Sequence, residues 1–314
     1  MPTTMFFIVL LVCSQTNAQT SAPTASDTTP VFTSGVSNVR IDVQVTEKNQ
    51  LITGLTKEDF AIFDEGRQQG LIYFGRDSEP LSLLLLLDVS GSTKQYIDQI
   101  ASTARASLRY LGPADRVSVM VFGRNSRVRL PWTNDMNAVA ADIRQVVNDS
   151  TVGAGTNINE ALLESAKHID ESAGESGRRA VLILTDNLGL NYKSPDAPVV
   201  AAMYAADTVV NAIVVGKGKR PDVVSGNTYR NPDFTSPNVF SISEETGGEA
   251  LQLDKAGQAF ARMIERIRTR YSLHYKAPEN SPPGFRGVEV MLSPEARQRY
   301  PEAVLRFRKG YRVR

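Results

Sequence analysis

The sequence is poor in the residues that support thiolate, disulfide or histidine chemistry. Its 314 residues include one cysteine, Cys13, and two histidines, His168 and His274. One cysteine cannot form an intramolecular disulfide, and no Cys/His cluster is present for zinc. A serine nucleophile needs a neighbouring base. We predict that His168 lies on the surface of a helix and that His274 is a structural residue of a strand, so the protein is not expected to be an enzyme.

The sequence also lacks an excess of either charge. Its 35 Lys and Arg residues nearly balance its 34 Asp and Glu residues, which gives no argument for nucleic-acid binding. The balance is uneven, because residues 262–314 contain 13 basic and five acidic residues. Such a segment suits an anionic lipid or polymer, or it simply solvates the outer faces of strands. We expect the second.

The sequence also lacks long apolar runs. A transmembrane helix needs about 20 apolar residues, and outside the N-terminal segment no apolar run is long enough to span a membrane. Residues 5–13 have the length of a signal-peptide core, and residues 16–18, Thr-Asn-Ala, are small enough for cleavage. We expect residues 1–18 to be removed on export, which gives a periplasmic, cell-surface or secreted protein without a transmembrane span. Lipidation of Cys13 is not expected, because the preceding Val12 is not small.

Periodicity divides the rest of the chain. Residues 19–35 are rich in Ser, Thr, Ala and Pro, as flexible linkers are. Residues 36–79 and 271–314 alternate apolar and polar residues like half-buried strands, and we expect them to pack together as one small β-rich subdomain. Residues 80–270 alternate strands with helices. This pattern predicts an α/β domain with a doubly wound, mostly parallel sheet and helices on both faces.

The most informative stretch is the apolar run of residues 81–87, which leads directly into Asp88, Ser90 and Ser92. A run of this length suits a strand buried on both faces of a parallel sheet, and such strands end at the ligand-binding edge. Three oxygen-bearing side chains on alternate residues suit a hard cation, Mg²⁺ or Mn²⁺.

Three ligands are too few for such a cation, so we expect two further side chains to complete the set. Asp186 ends a second apolar strand, which should finish at the same edge. Thr156 follows two glycines that let the backbone approach closely, and it precedes the positive N-terminal end of a predicted helix.

Together these residues resemble the metal-ion-dependent adhesion site of von Willebrand factor A domains. D-x-S-x-S follows a hydrophobic strand, G-T-N precedes a helix, and T-D ends a later strand. The resemblance covers residues 80–270. It implies direct coordination by Ser90 and Ser92, coordination by Thr156 directly or through water, and contacts from Asp88 and Asp186 largely through water. A glutamate or aspartate from a partner typically fills the last position.

One residue departs from the family pattern. Asn187 stands where a glycine commonly follows the aspartate. The change leaves the expected metal ligands in place, but it alters the local turn.

The flanks resemble a bacterial exported subfamily related to von Willebrand factor A, known especially from acidobacteria. The resemblance is carried by the stretches GLTKEDFAIFDEG, EPLSLLLLLDVSGS and RKGY. It implies an exported module that binds an acidic residue of a protein or extracellular-matrix partner through its metal. Two alternatives stay open, a subunit that partners an AAA+ ATPase and a structural envelope protein whose metal only rigidifies the fold.

Two loops are expected to select the partner, because loops that follow parallel strands open on one edge of the sheet. They are residues 187–194 and residues 217–238, and the second is longer than most connections in compact domains. Their candidate contact residues are of types that favour interfaces. These are Asn187, Tyr192, Arg220, Tyr229 and Arg230.

Overall fold

In the computed structural model, the described residues besides Met1 are 38–76, 79–174, 177–189, 191–221, 233–253, 255–279 and 281–313. The predicted linker, and the predicted signal peptide apart from Met1, therefore lie outside the described residues.

The elements follow one another in a β, α/β, β order. The strands are β1 Asn38–Glu47, β2 Gln50–Leu51, β3 Phe60–Asp64, β4 Arg67–Gln69, β5 Leu71–Arg76, β6 Leu81–Asp88, β7 Arg116–Phe122, β8 Ser126–Thr133, β9 Arg178–Thr185, β10 Asn191–Tyr192, β11 Thr208–Val214, β12 Phe234–Thr235, β13 Ala250–Gln252, β14 Tyr271–Lys276, β15 Gly284–Leu292, β16 Val304–Arg306 and β17 Gly310–Val313. The helices are α1 Lys94–Ser107, α2 Met136–Val146, α3 Ile158–Ser172, α4 Asp196–Ala205, α5 Val239–Glu245, α6 Ala256–Arg268 and α7 Pro294–Arg299.

The α/β domain is built on a sheet with the strand order β13-β11-β9-β6-β7-β8. All pairs are parallel except β7 with β8, which returns antiparallel along the edge. Helices α1, α2 and α6 contribute to the core on one face, and α3, α4 and α5 contribute to the core on the other. The prediction of a doubly wound, mostly parallel sheet with helices on both faces is confirmed.

Strand β6 shows why the leucine run has no polar alternation. Successive side chains of a strand point to opposite faces, and both faces of this strand are covered by helices. Leu83 and Leu85 enter the core beneath α1 and α6, whereas Leu84 and Leu86 enter the core beneath α3. All four are fully buried, and Asp88 ends the strand.

The flanking segments form two further sheets, with the orders β16-β1-β14-β5 and β17-β15-β3-β4. Each sheet combines strands from both flanks, because β1 pairs with β14 and β3 pairs with β15, both antiparallel. Their apolar faces share one core, in which Ile41, Ile62, Leu273 and Tyr275 have no exposed surface.

The basic residues near the C-terminus pair with carboxylates from earlier in the chain. Arg266 binds Glu249 at 2.5 Å. Arg268 binds Asp115 at 2.7 Å. Arg270 is buried and donates to the carbonyl oxygen of Gly247 at 2.8 Å. These contacts lie where the β-rich part meets the amino ends of the parallel strands, so much of the local basic excess serves the junction rather than the outer faces of strands.

The C-terminal segment, predicted to be strand-like, also contains a helix. This is α7, whose first turn is capped by the Ser293 hydroxyl. The segment that follows α7 forms two short strands, β16 and β17. None of the helices in the described part of the chain has the length and apolar character to cross a bilayer.

The shared core of the β-rich part predicts that mutations in β14 and β15, which follow one another along the chain, have very different effects on stability. Leu273 on β14 is fully buried, so Leu273→Ala should lower the free energy of unfolding by about 2–5 kcal/mol. Met291 on β15 is 42% exposed, and Met291→Ala should change it by less than about 1 kcal/mol. Urea unfolding followed by circular dichroism measures both, and equal losses would contradict this assignment of the core.

Candidate metal centre

The centre is built around Asp88, at the carboxyl end of the central strand β6. Its carboxylate is fully buried. Oδ1 accepts a hydrogen bond from the backbone N–H of Ser90 at 3.0 Å, and Oδ2 accepts one from the hydroxyl of Thr185 at 2.8 Å. Within the described residues no Lys or Arg pairs with this carboxylate. Burial raises the pKa of Asp88 to about 6, against these hydrogen bonds, which lower it.

Three of the other predicted ligands are in direct contact with one another. The hydroxyl oxygens of Ser90 and Ser92 lie 3.2 Å apart, and Ser92 donates to Oδ2 of Asp186 at 2.6 Å. Ser92 is exposed and Ser90 is half-buried, whereas the residue Asp186 is only 4% exposed. The turn after β6 and the end of β9 therefore present hydroxyl and carboxylate oxygens side by side at one edge of the sheet.

Thr156 reaches the same edge through close backbone contacts. A Cβ on Gly189 would lie 2.7 Å from the carbonyl oxygen of Thr156, so the loop after Asp186 passes directly over this residue. A Cβ on Gly123 would lie 2.5 Å from the carbonyl oxygen of Gly153, which explains the need for glycine in the turn after β7. All five predicted ligands thus lie at the carboxyl edge of β6 and β9 or in the loop beside it.

Two buried threonines position this set, and the sequence analysis did not select them. Thr93 is fully buried, and its hydroxyl lies within hydrogen-bonding distance of the carbonyl oxygens of Asp88 and Ser90. Thr185 donates to Asp88 and accepts from the N–H of Asn187 at 3.1 Å. The only sign of their role in the sequence is that they lie next to predicted ligands. Sequence alone does not distinguish a threonine that orients a turn from a threonine on the surface.

Asn187 adopts a backbone conformation that glycine adopts more readily than most residues. Its φ of 52° lies in the left-handed region, which Asn tolerates better than most residues. Its side chain is buried, donates to the carbonyl oxygen of Lys219 at 3.1 Å and accepts from the N–H of Val239 at 3.3 Å. Asn187 was predicted to contact the partner, but its side chain instead ties together the loops that follow β9 and β11.

The two predicted specificity loops are joined by a short antiparallel ribbon of β10 and β12. Tyr192 from the first loop packs against Phe234 from the second, with ring centroids 5.2 Å apart. Tyr192 is 56% exposed, Phe234 is 44% exposed, and Leu188 in the same loop is 51% exposed. An exposed aromatic and aliphatic surface is therefore formed by the two joined loops together.

Arg220 is exposed but already engaged. Its guanidinium donates to Oε2 of Glu244 at 3.1 Å and lies 5.2 Å from the ring centre of Phe240. Its charge is therefore neutralised within the chain. Tyr229 and Arg230 lie outside the described residues.

Both histidines contact other side chains of the fold, one by ring stacking and one through a carboxylate. His168 is half-buried rather than on the surface, with its ring stacked on Trp132 at a centroid distance of 5.5 Å. Burial lowers the pKa of His168. His274 on β14 places Nε2 2.6 Å from Oε1 of Glu79. Neither contact involves a predicted metal ligand.

The donor set fits a hard divalent cation. Cis ligands of an octahedral Mg²⁺ lie about 3 Å apart, because each metal–oxygen distance is about 2.1 Å. The observed 3.2 Å between the hydroxyl oxygens of Ser90 and Ser92 is close to that spacing. The described residues contain no cluster of three or more His, Cys, Asp or Glu side chains with metal-binding geometry. Two of the five candidate ligands are carboxylates, so the rest of the set consists of hydroxyls.

Sequence comparison agrees with this architecture. Residues 83–189 match the family model of the von Willebrand factor type A domain. This part of the chain is therefore similar to von Willebrand factor type A domains. The matched range begins in β6 and ends three residues after Asp186, so it contains all five candidate ligands. No curated protein matches the chain in sequence.

Three solved structures are similar to the chain at low sequence identity. An aerotolerance-related membrane protein from Bacteroides fragilis NCTC 9343, with multiple mutations to serines, is 18% identical over 60% of this chain and 98% of its own, with a TM-score of 0.46. The conserved hypothetical protein BatB from Bacteroides thetaiotaomicron is 20% identical over 60% of this chain and 97% of its own, with a TM-score of 0.44. A von Willebrand factor type A structure from Catenulispora acidiphila is 10% identical over 90% of this chain and 74% of its own, with a TM-score of 0.45.

The buried charge of Asp88 is expected to lower the free energy of unfolding when no metal is bound. The pKa of Asp88 in the folded protein lies above its usual value, so protonation of Asp88 stabilises the folded state. This contribution to stability is lost as the pH rises through about 6 and the carboxyl group ionises. In EDTA at about pH 8, Asp88→Asn should therefore raise the free energy of unfolding by about 1–3 kcal/mol.

At about pH 4 the difference should largely vanish, because wild-type Asp88 is then mostly protonated in the folded protein. Asp98→Asn on the exposed face of α1 is the matched control and should have little effect at either pH. Urea unfolding at both pH values measures these changes. If Asp88→Asn is instead less stable than wild type in EDTA at about pH 8, the prediction is wrong, because the charge of Asp88 is then compensated within the protein.

Proposed function

We propose that the protein is a metal-dependent binding module that holds Mg²⁺ or Mn²⁺ at the carboxyl edge of its sheet and binds a carboxylate of a protein or extracellular-matrix partner. The observation that carries this proposal is the buried carboxylate of Asp88, which forms no ion pair with any described Lys or Arg and lies beside three candidate ligands linked by oxygen contacts. In this proposal Ser90, Ser92 and Thr156 hold the cation by their hydroxyls, and Asp88 and Asp186 neutralise it from behind.

The chain's own residues would do most of the positioning. Thr93 and Thr185 fix the backbone turn and the orientation of Asp88, so the two serine hydroxyls are held at one edge before any ligand arrives. A divalent cation bound there supplies positive charge that a partner carboxylate can neutralise. Leu188, Tyr192 and Phe234 then provide apolar contact area around that carboxylate.

A binding role, rather than a catalytic one, is part of the proposal. Both histidines are engaged in packing contacts that involve no predicted ligand, as described above. Exposed apolar side chains of the loops after β9 and β11 lie at the same edge as the five candidate ligands, and such side chains suit recognition.

We also propose that the protein acts outside the cytoplasm, on the basis of the apolar segment of residues 5–13. Mass spectrometry of protein purified from its native source should give a mature N-terminus at Gln19. An intact Met1 would contradict export and favour the alternative of a cytoplasmic subunit that partners an ATPase.

Metal titration tests the centre directly. A ligand that binds only the folded state at 100 times its Kd stabilises it by about 2.7 kcal/mol, which should raise the Tm by about 5–10 °C in a domain of this size. Wild-type protein titrated with Mg²⁺ or Mn²⁺ should show this rise. Ser92→Ala and Thr156→Ala should reduce it strongly.

Ser102→Ala provides the matched control, because Ser102 lies exposed on α1 and bonds only to its own helix. It should respond to metal like wild type. The carboxylate is tested by fluorescence anisotropy with a labelled heptapeptide of glycines around one central glutamate. Binding should require Mg²⁺ and disappear in EDTA. Identical metal responses in wild type, Ser92→Ala and Thr156→Ala would refute the assigned ligands.

A further inference from the structure

Two exposed basic side chains flank the candidate metal centre on opposite sides. Arg124 follows β7, and Lys217 follows β11. Both side chains are exposed, and neither has an ion-pair partner among the residues that the structure describes. Other basic residues of these loops differ in this respect, since Arg220 pairs with Glu244 and Lys193 lies 4.0 Å from Asp233.

Backbone contacts fix both residues beside the centre. The carbonyl oxygen of Arg124 accepts a hydrogen bond from the side-chain amide of Asn157 at 2.7 Å, which places Arg124 next to the Thr156 turn. Lys217 is followed by Gly218, where a Cβ would lie 2.1 Å from the carbonyl oxygen of Asp186. The contact leaves no room for any other residue at 218, so Lys217 is held against the Asp186 turn.

The sheet order sets the spacing of these groups. Along the edge the strands run β11, β9, β6, β7, so Lys217 and Arg124 stand at the two ends and the candidate metal ligands lie between them. Neighbouring strands are about 4.8 Å apart, which puts each basic residue about 7 Å from the midpoint between β9 and β6. An extended peptide places side chains of one face about 7 Å apart, at residues i, i+2 and i+4.

We propose that the partner segment is an extended acidic strand with carboxylates on alternate residues, of which the middle one meets the metal and the outer two pair with Arg124 and Lys217. This proposal rests on the proposed function, because it places the middle carboxylate at the metal. It goes further by naming the charge pattern that the partner must present.

Among the described residues, no carboxylate forms an ion pair with Arg124 or Lys217. Glu160, in the first turn of α3, is the exposed acid closest in sequence to the Thr156 turn, and it forms no ion pair with Arg124. Asp88 and Asp186 are buried beneath the hydroxyls. The two outer cations are therefore available to a partner, and their attraction for it is screened by salt.

Three labelled heptapeptides test the pattern by fluorescence anisotropy in Mg²⁺. One carries a single central glutamate among glycines, one carries three glutamates on alternate residues, and one carries three consecutive glutamates. The alternate peptide should bind about three- to tenfold more tightly than the single-glutamate peptide, as two solvent-exposed ion pairs allow. The consecutive peptide should gain less, because its outer side chains do not share one face, and all gains should shrink at high salt.

The double variant Arg124→Gln/Lys217→Gln should reduce the ratio between the alternate and single-glutamate peptides to about one. Lys167→Gln, an exposed change on α3, is the control and should keep the wild-type ratio. An unchanged Mg²⁺-dependent rise in Tm shows that the double variant retains its metal centre.

A ratio near one in wild type, or an unchanged ratio in the double variant, would overturn the charge pattern and leave metal-dependent carboxylate binding standing. If the single-glutamate peptide fails to bind in Mg²⁺ although the metal raises the Tm, the proposed function itself fails, and the charge pattern fails with it.

Discussion

A negative charge buried at the end of the central strand is the constraint on which the site depends. Strand β6 is covered on both faces, so Asp88 emerges from the core with no exposed surface, and its charge is stabilised by hydrogen bonds from Ser90 and Thr185. A buried carboxylate without an opposite charge is unfavourable unless a cation or a proton neutralises it. Among the described residues, the turns around Asp88 bring hydroxyl groups rather than basic side chains close to it, which suits the cation that we propose.

The same edge shows a division of labour between turns and loops. The turns after β6 and β9 are fixed by buried threonines, by Asn187 and by close glycine contacts, which leave little freedom at the oxygen ligands. The β10–β12 ribbon lies outside this rigid set and exposes its aromatic side chains. Rigid candidate ligands beside an exposed rim suit the binding function that we propose.

Much of the α/β architecture could be predicted from the sequence, because its signals are local. The leucine run, the helical spacing in α1 and α3, and the polar residues after β6 and β9 each report on their own segment. Helix α7 is only six residues long and was hidden in a polar stretch. A strand pattern also does not say which strand pairs with which, so the two β-rich sheets and their registers required the structure.

Side-chain roles were harder to predict than positions. Asn187 lies in the loop where it was expected, yet its amide points inward, because a left-handed turn aims it at the backbone of Lys219 and Val239. The C-terminal arginines were expected to solvate strands, and several instead meet carboxylates from distant segments. Such pairings depend on which surfaces the fold brings together, and the sequence of one segment does not contain that information.

The chain enters the α/β domain from β5 and returns from it into β14, and these two strands are neighbours in one sheet. Arg76 pairs with Tyr271, so both attachments leave the β-rich part at the same end, at the amino edge of the parallel strands and opposite the candidate metal centre. A mechanical load applied at the carboxyl edge would therefore reach the β-rich part at this one point. If the opposing force acts at Asn38, the β1–β14 ladder is loaded in shear from the pair Val43–Tyr271 to the pair Asn38–Lys276, so its backbone hydrogen bonds would have to break together rather than one after another.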